Sequence, residues 1–201
     1  MPDYTANELD ISNRGLIKLP DYIDKYTNLE KLNCSHNKIT SLDNLPITLK
    51  VLYCCNNKLT SLDNLPQKLE ILYCYDNEIT SLDNLPQKLE ILYCNSNLIT
   101  SLDNLPSTLK KFSCSNNNIT SIDNLPATLI ILECWYNNLT SLDNLPPNLK
   151  ELYCDGNQIT SLDNLPPKLE VLYCYQNPLI YNFEPTLENI RNYIASRMLD
   201  S

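Results

Sequence analysis

The chain has 201 residues, 43% of them hydrophobic, and a formal charge of −9, so it can fill a core and is too acidic to present a basic stripe to nucleic acid. The start "MPDYTANELD" is polar and eighteen apolar residues never run together, so neither a signal peptide nor a membrane span is expected; the reading is a soluble, cytoplasmic protein, in host cytoplasm if the source is a virus or pathogen. Only two glycines accompany 13 prolines, which leaves turn formation to Pro and to the many Asn and Asp residues.

Residues 1–28 read as an N-terminal cap. Ala6 to Asn28 form one long unit of 23 residues, with a short helical turn expected around Asp21 to Tyr26. Arg14 stands where later units carry Asn, as suits an outermost unit with no earlier ladder to join.

From 29 to 180 the pattern "LxxLxCxxNxITSLDNLPxx" returns every twenty residues, opening at Leu29, Leu49, Leu69, Leu89, Leu109, Leu129 and Leu149, with a truncated unit from Leu169. A fixed period of this length specifies a solenoid. In "LYC" the inward Leu and Cys alternate with an outward residue, the period of a short strand. One strand per unit, always followed by the same return path, stacks into a parallel sheet. Asn37, Asn57, Asn77, Asn97, Asn117, Asn137, Asn157 and Asn177 stand where the chain leaves the strand, so a buried amide there would satisfy backbone groups of adjacent turns as an Asn ladder. Ile39, Leu42 and Leu45 then enter the core, Asp43 is expected to cap its turn by accepting from the N–H two residues on, and Pro46 holds the return segment extended. Residues 181–201 read as a C-terminal cap: Leu187, Ile190, Ile194 and Met198 have helical spacing, predicting an amphipathic helix over the last strand.

This unit resembles the bacterial "LPX" class of leucine-rich repeats, "LxxLxVxxNxLxxLPxLPxx", known from secreted effectors of Gram-negative pathogens. Its Cys-bearing "ITSLDNLP" form is also similar to leucine-rich repeat proteins of giant amoebal viruses. The likeness spans Leu29 to about Leu179, with Cys in place of the strand Val and Asp in place of the first Pro. It implies an α/β repeat solenoid: a leucine-rich repeat horseshoe with a parallel concave β-sheet, an extended, polyproline-like convex side and a C-terminal capping helix. The general role it implies is protein binding, with no partner named. Effectors of that class can carry a ubiquitin-ligase domain with a catalytic Cys; only about twenty residues follow the repeats here, so no such domain is expected in this sequence.

Three sets of residues are candidates for chemistry. Cys34, Cys54, Cys74, Cys94, Cys114, Cys134, Cys154 and Cys174 would stack inside the core about 4.8 Å apart, where a thiol fills the place of Val. Cβ vectors pointing the same way are poorly disposed for disulfides, and Cys-x-x-Cys spacing with converging histidines is missing, so no metal is assigned. Cys55 is expected to face outward on the concave sheet, one strand from His36, the single histidine; no orienting third group or oxyanion hole is evident, and the chain is read as non-enzymatic, with no cofactor.

The second set is the Asp ladder, Asp43, Asp63, Asp83, Asp103, Asp123, Asp143 and Asp163. Carboxylates about 5 Å apart in water repel by only about 0.8 kcal/mol, which one hydrogen bond offsets. Turn capping is the reading, with calcium shared between turns as the chemical alternative.

The third set is the concave face. Its central column runs Asn33, Tyr53, Tyr73, Tyr93, Ser113, Glu133, Tyr153, Tyr173, all expected to point to solvent. Val51, Ile71, Ile91, Ile131 and Val171 flank it on one side, and Tyr75, Trp135 and Tyr175 on the other, with a polar notch around Lys110, Lys111, Ser113 and Glu133. Tyr and Trp dominate protein interfaces, so the partner-binding residues are read as Tyr53, Tyr73, Tyr75, Tyr93, Trp135, Tyr153, Tyr173 and Tyr175. The alternatives are sheet stabilisation by the same aromatics and closure of this face against a second copy in a homo-oligomer.

Overall fold

The alternation of inward and outward residues in each unit produces three-residue strands, and the identical return path forces them all to run the same way. In the computed structural model, which describes residues 3–199, these are β1 (Glu8–Asp10), β2 (Lys31–Asn33), β3 (Val51–Tyr53), β4 (Ile71–Tyr73), β5 (Ile91–Tyr93), β6 (Lys111–Ser113), β7 (Ile131–Glu133), β8 (Glu151–Tyr153) and β9 (Val171–Tyr173). They form one nine-stranded parallel sheet in sequence order. The register advances by one unit per strand: Leu32 lies beside Leu52 and Leu52 beside Leu72, while the longer first unit brings Leu9 beside Leu32. A 3-10 turn at Ile23–Lys25 falls inside the helical turn expected from the sequence, and α1 (Leu187–Leu199) closes the other end.

Core-facing positions repeat with the period. Leu49, Leu52, Cys54, Leu59 and Leu62 are buried, as are their equivalents in the inner units, and together they make one continuous hydrophobic column, against which Leu9 at one end and Leu172 and Leu179 at the other are partly buried. Fully burying such a side chain contributes about 1.5–3 kcal/mol, so each unit is held chiefly by contact with its two neighbours.

The strand exits are held by the Asn ladder. The Asn57 amide donates to the carbonyls of Cys34 (3.1 Å), Cys54 (3.1 Å) and Cys55 (3.2 Å), and its oxygen accepts from the Ile39 N–H (3.0 Å). Asn117 repeats this set in the middle of the stack. Each carboxamide therefore binds its own unit to the preceding one and leaves no buried amide hydrogen idle. In the first unit Arg14 substitutes: its guanidinium donates to the Asp10 carbonyl (2.8 Å), and its N–H goes to the Asn37 oxygen (3.0 Å).

Immediately before each ladder Asn the backbone enters the left-handed region, at His36, Asn56, Asp76, Ser96, Asn116, Tyr136, Gly156 and Gln176. For residues with a Cβ this conformation costs about 1–2 kcal/mol, and the ladder bonds that follow offset it. Asn44, Asn64, Asn84 and Asn104 adopt it as well, in the turn of "SLDNLP". Scarcity of glycine is thus met by Asn where the residue is free to be Asn, and by strained residues elsewhere.

At the C-terminal end Ile190 is fully buried, and Leu187 and Ile194 pack against the core. The Met198 side chain, Met1, Pro2, Asp200 and Ser201 lie outside the described residues. Arg191 donates to the carbonyls of Leu169 (2.7 Å) and Pro167 (3.3 Å), and Thr186 Oγ1 accepts from the Asn189 N–H (3.2 Å) as the helix cap. Tyr181, Phe183 and Tyr193 form an aromatic cluster beneath α1, with ring centroids 5.0–5.5 Å apart. Among the described residues no helix is long and apolar enough to cross a membrane.

Candidate functional site

Side chains on the open face of the sheet fall into two aromatic groups. In the first, Tyr53 stacks on Tyr73 (5.0 Å, 29°) and Tyr73 meets Tyr93 edge-on (4.7 Å, 76°). All three rings are half-buried by this packing, and the partly buried Tyr75 lies beside them. In the second, Tyr153 and Tyr173 stack nearly parallel (5.2 Å, 9°), with Tyr175 6.5 Å from Tyr173. This group is the more open, Tyr173 being 47% and Tyr175 58% exposed. Trp135 is partly buried and packs edge-on against Tyr136 (5.6 Å).

Between the groups lies the polar notch, with one correction. Ser113, expected to point to solvent, is fully buried and donates its hydroxyl to Glu133 (2.8 Å). Its neighbours in register are Tyr93 and Glu133, whose larger side chains rise above it on both sides.

Cys55 is a second correction. Expected to face outward, it is only 2% exposed, and it meets His36 through the backbone, the His36 N–H donating to the Cys55 carbonyl (2.9 Å). The position after each ladder Cys turns out of the strand into the left-handed bend, so small side chains tuck under it: Ser35 and Ser115 are buried there too, while Tyr75, Trp135 and Tyr175 are long enough to emerge. Burial raises the Cys55 thiol above its usual range, against hydrogen bonds from Tyr75 and Ser35. A nucleophilic Cys requires the opposite shift.

The eight ladder cysteines are buried, and several donate to main-chain carbonyls of the next unit: Cys54 to Tyr73 (3.4 Å), Cys94 to Ser113 (3.4 Å) and Cys154 to Tyr173 (3.3 Å). Burial pushes the Cys34 thiol up to about 12 and the less covered Cys174 to about 11, and it raises the thiols between them as well. Among the described residues no three His, Cys, Asp or Glu side chains gather to hold a metal ion.

The Asp ladder differs from expectation in its bonding. The carboxylates do not reach the N–H two residues on. Instead the Ser two residues earlier donates its hydroxyl to the Asp, at 2.6 Å for Ser81–Asp83, Ser101–Asp103 and Ser121–Asp123, and accepts the Asp N–H in return. The second carboxylate oxygen accepts from the Asn of the following unit: Asn104 to Asp83 (3.3 Å), Asn124 to Asp103 (2.8 Å), Asn144 to Asp123 (2.9 Å). Each of these three carboxylates thus points along the stack and joins two units. Hydrogen bonds from Ser, then from Asn, hold these three carboxyls below the usual range.

Three features of the face escaped the sequence reading. Glu151 accepts from the Tyr153 hydroxyl (3.2 Å), and Asp155 accepts from the Tyr175 N–H (2.8 Å), which puts two more carboxylates at the second aromatic group. Tyr136, 49% exposed, lays its ring where a Cβ on Gly156 would sit, and its hydroxyl donates to Gln176 (3.0 Å), bracing three consecutive units. The signal for it is Gly156, a glycine one period after an aromatic in a chain that otherwise has only Gly15.

Comparison with known proteins agrees with this architecture. The model for "Leucine Rich repeats (2 copies)" matches residues 47–87, 67–107, 127–167 and 147–192, and that for "Leucine Rich Repeat" matches 28–47. Among curated proteins no sequence matches the chain. Among solved structures, the functional domain of InlJ from Listeria monocytogenes, which includes a cysteine ladder, is 36% identical with a TM-score of 0.77, covering 90% of this chain and 42% of that one. YopM from Yersinia enterocolitica is 28% identical with a TM-score of 0.64, covering 90% of this chain and 49% of that one. A Shigella effector LRR domain is also 28% identical, with a TM-score of 0.66, covering 98% of this chain and 77% of that one. The chain therefore spans less than half the length of the first two. With repeat models matched over more than half its residues, on a sheet whose register steps by one unit per strand, this chain belongs to the leucine-rich repeat family.

Proposed function

We propose that this protein is a non-enzymatic binding module that docks a partner protein on its Tyr- and Trp-bearing sheet face. The observation that carries the proposal is the two stretches of Tyr and aliphatic side chains on the sheet face, one over β3 to β5 and one over β8 and β9, the second ending in the exposed Tyr173 and Tyr175. Nine strands at about 4.8 Å make a surface roughly 40 Å across, room for a standard interface. Rigid aromatic side chains offer large contact area at low entropic cost, and patches of this kind on a monomer mark interaction sites. The fold supports the same role, being typical of interaction modules.

The test is a pull-down from a lysate of the source organism, comparing wild type with a Tyr75→Ala, Trp135→Ala, Tyr175→Ala variant of confirmed fold. A protein captured by wild type alone supports docking on this face. Equal capture by both removes the aromatic residues from the binding surface. A wild-type mass that doubles with concentration, and stays monomeric in the variant, makes the occupant a second copy of the chain.

A further inference from the structure

Carboxylates on the sheet face divide into two kinds. At the N-terminal end Glu8 is paired with Lys31 (3.3 Å), and Asp10 has both oxygens engaged, by the Ser12 N–H (2.8 Å) and the Asn33 amide (3.0 Å), with the Arg14 charge acting on it. Glu133, Glu151 and Asp155, carried by β7, β8 and the residues just after β8, make no ion pair among the described residues. Each is engaged by one neutral donor, the Ser113 hydroxyl, the Tyr153 hydroxyl and the Tyr175 N–H respectively. Their charge is therefore oriented and, with one Lys among three carboxylates, left in excess. Beyond burial, the charges of Glu133 and Glu151 both raise the Tyr93 and Tyr153 hydroxyls, so the two carboxylates act on the same stretch of face between the aromatic groups. Lys111 lies on this stretch, and it too makes no ion pair among the described residues.

A partner covering this face must answer those charges. A neutral apolar surface would strip water from three carboxylates and leave them unpaired, and an acidic one would add repulsion. A guanidinium or ammonium instead gains charge-assisted hydrogen bonds from the carboxylates, and it gains cation–π attraction from the adjacent Tyr rings. The net charge of −9 attracts such a partner from a distance.

We infer that the occupant of this face is a basic protein segment, whose arginine or lysine side chains seat against Glu133, Glu151 and Asp155 while its apolar side chains cover the flanking tyrosines. This rests on the docking reading above and adds the chemistry of the partner to it.

The test is fluorescence anisotropy with three labelled peptides of equal length, alternating Leu with Arg, Gln or Glu. The Arg peptide is expected to bind wild type about tenfold or more tighter than the Gln peptide, with the Glu peptide weakest and the preference shrinking as salt rises. A Glu133→Gln, Glu151→Gln, Asp155→Asn variant should lose that preference and keep its affinity for the Gln peptide. A control variant with the same change of charge off the face, Asp24→Asn, Glu184→Gln, Glu188→Gln, should keep the preference. Equal binding of the Arg and Gln peptides, no binding of the Arg peptide, or equal loss in the control overturns the basic partner. Weakening of every peptide by Tyr75→Ala, Tyr175→Ala leaves the docking face standing even then, and indifference to those two substitutions removes the face itself.

Discussion

The inside of this solenoid and its sheet face are built from the same strands, yet they obey opposite rules. Inside, Leu52, Cys54 and Asn57 recur almost unchanged at every period, because each touches its own copy in the adjacent units. A substitution there is felt on both sides. At the edge of the face, where long side chains emerge and short ones are buried, the position after the ladder Cys runs Ser35, Cys55, Tyr75, Asn95, Ser115, Trp135, Asp155, Tyr175, and the fold tolerates all of them. Lateral identity is thus a requirement of stacking, and the face is where the chain is free to vary.

The strongest way to break the inside is alkaline pH. Burial raises the ladder thiols, Cys34 to about 12, from an ordinary value of 9.0. The proton is held more tightly in the folded state, so this stability is fully present below about pH 9 and is lost as pH rises toward the folded values. Because the shift recurs along the ladder, the urea midpoint is expected to fall steeply above about pH 9, with thiol alkylation accelerating in step; a flat midpoint to pH 11 would refute the buried-thiol account.

Next in size is one rung of the Asn ladder. Asn117→Ala orphans the Ile99 N–H and takes one of two donors from the Cys94, Cys114 and Ser115 carbonyls, which keep Asn97, Asn137 and the Ser96 N–H; losing these four hydrogen bonds should cost about 3 kcal/mol in urea unfolding. Tyr175→Ala, on the exposed side of the same architecture, should cost less than about 1 kcal/mol. Equal losses would erase the distinction between the two regions.

Gly156→Ala sharpens it at the one place where face and turn meet. The new Cβ collides with the Tyr136 ring, and the backbone there must keep a left-handed φ of 64°, so a loss of about 2–3 kcal/mol is expected. In a Tyr136→Ala background the collision is gone, and the same substitution should cost only the backbone term, about 1 kcal/mol. An unchanged cost would mean that the ring plays no part.

The smallest effect belongs to the convex edge. Hydrogen bonds hold the Asp83, Asp103 and Asp123 carboxyls below their usual value of 3.8, so their contribution is present above about pH 4 and lost as pH falls through the lower folded values. Their exposure keeps this contribution small. Calorimetry should show wild type losing slightly more stability between pH 5 and pH 2.5 than an Asp83→Asn, Asp103→Asn, Asp123→Asn variant, and an identical decline in both would remove the ladder from the balance.

Much of this was legible in the chain itself. The period, the inward Leu and Cys, the Asn ladder and the capping helix follow from residue spacing, because in a solenoid each position meets only its own copy one period away. Burial of Cys55 and Ser113 was not legible, since it depends on a bend and on the height of neighbours that a period-two pattern does not encode. The Asp bonding was missed for a related reason. Spacing within one turn suggested a local cap, whereas the Asn that accepts the role of donor lies in the next unit, twenty-one residues on.

The sequence by itself determined the repeat, the direction of every strand and the composition of the core, since these follow from local alternation multiplied by a fixed period. Only the tertiary structure decided which face residues stand clear of their neighbours, how Ser, Asp and Asn join consecutive units, and that Glu133 and Glu151 share the stretch between two groups of tyrosines while Asp155 sits at the second group. Those outcomes depend on side-chain length and direction relative to the next coil of the chain, which exist only once the coils are stacked.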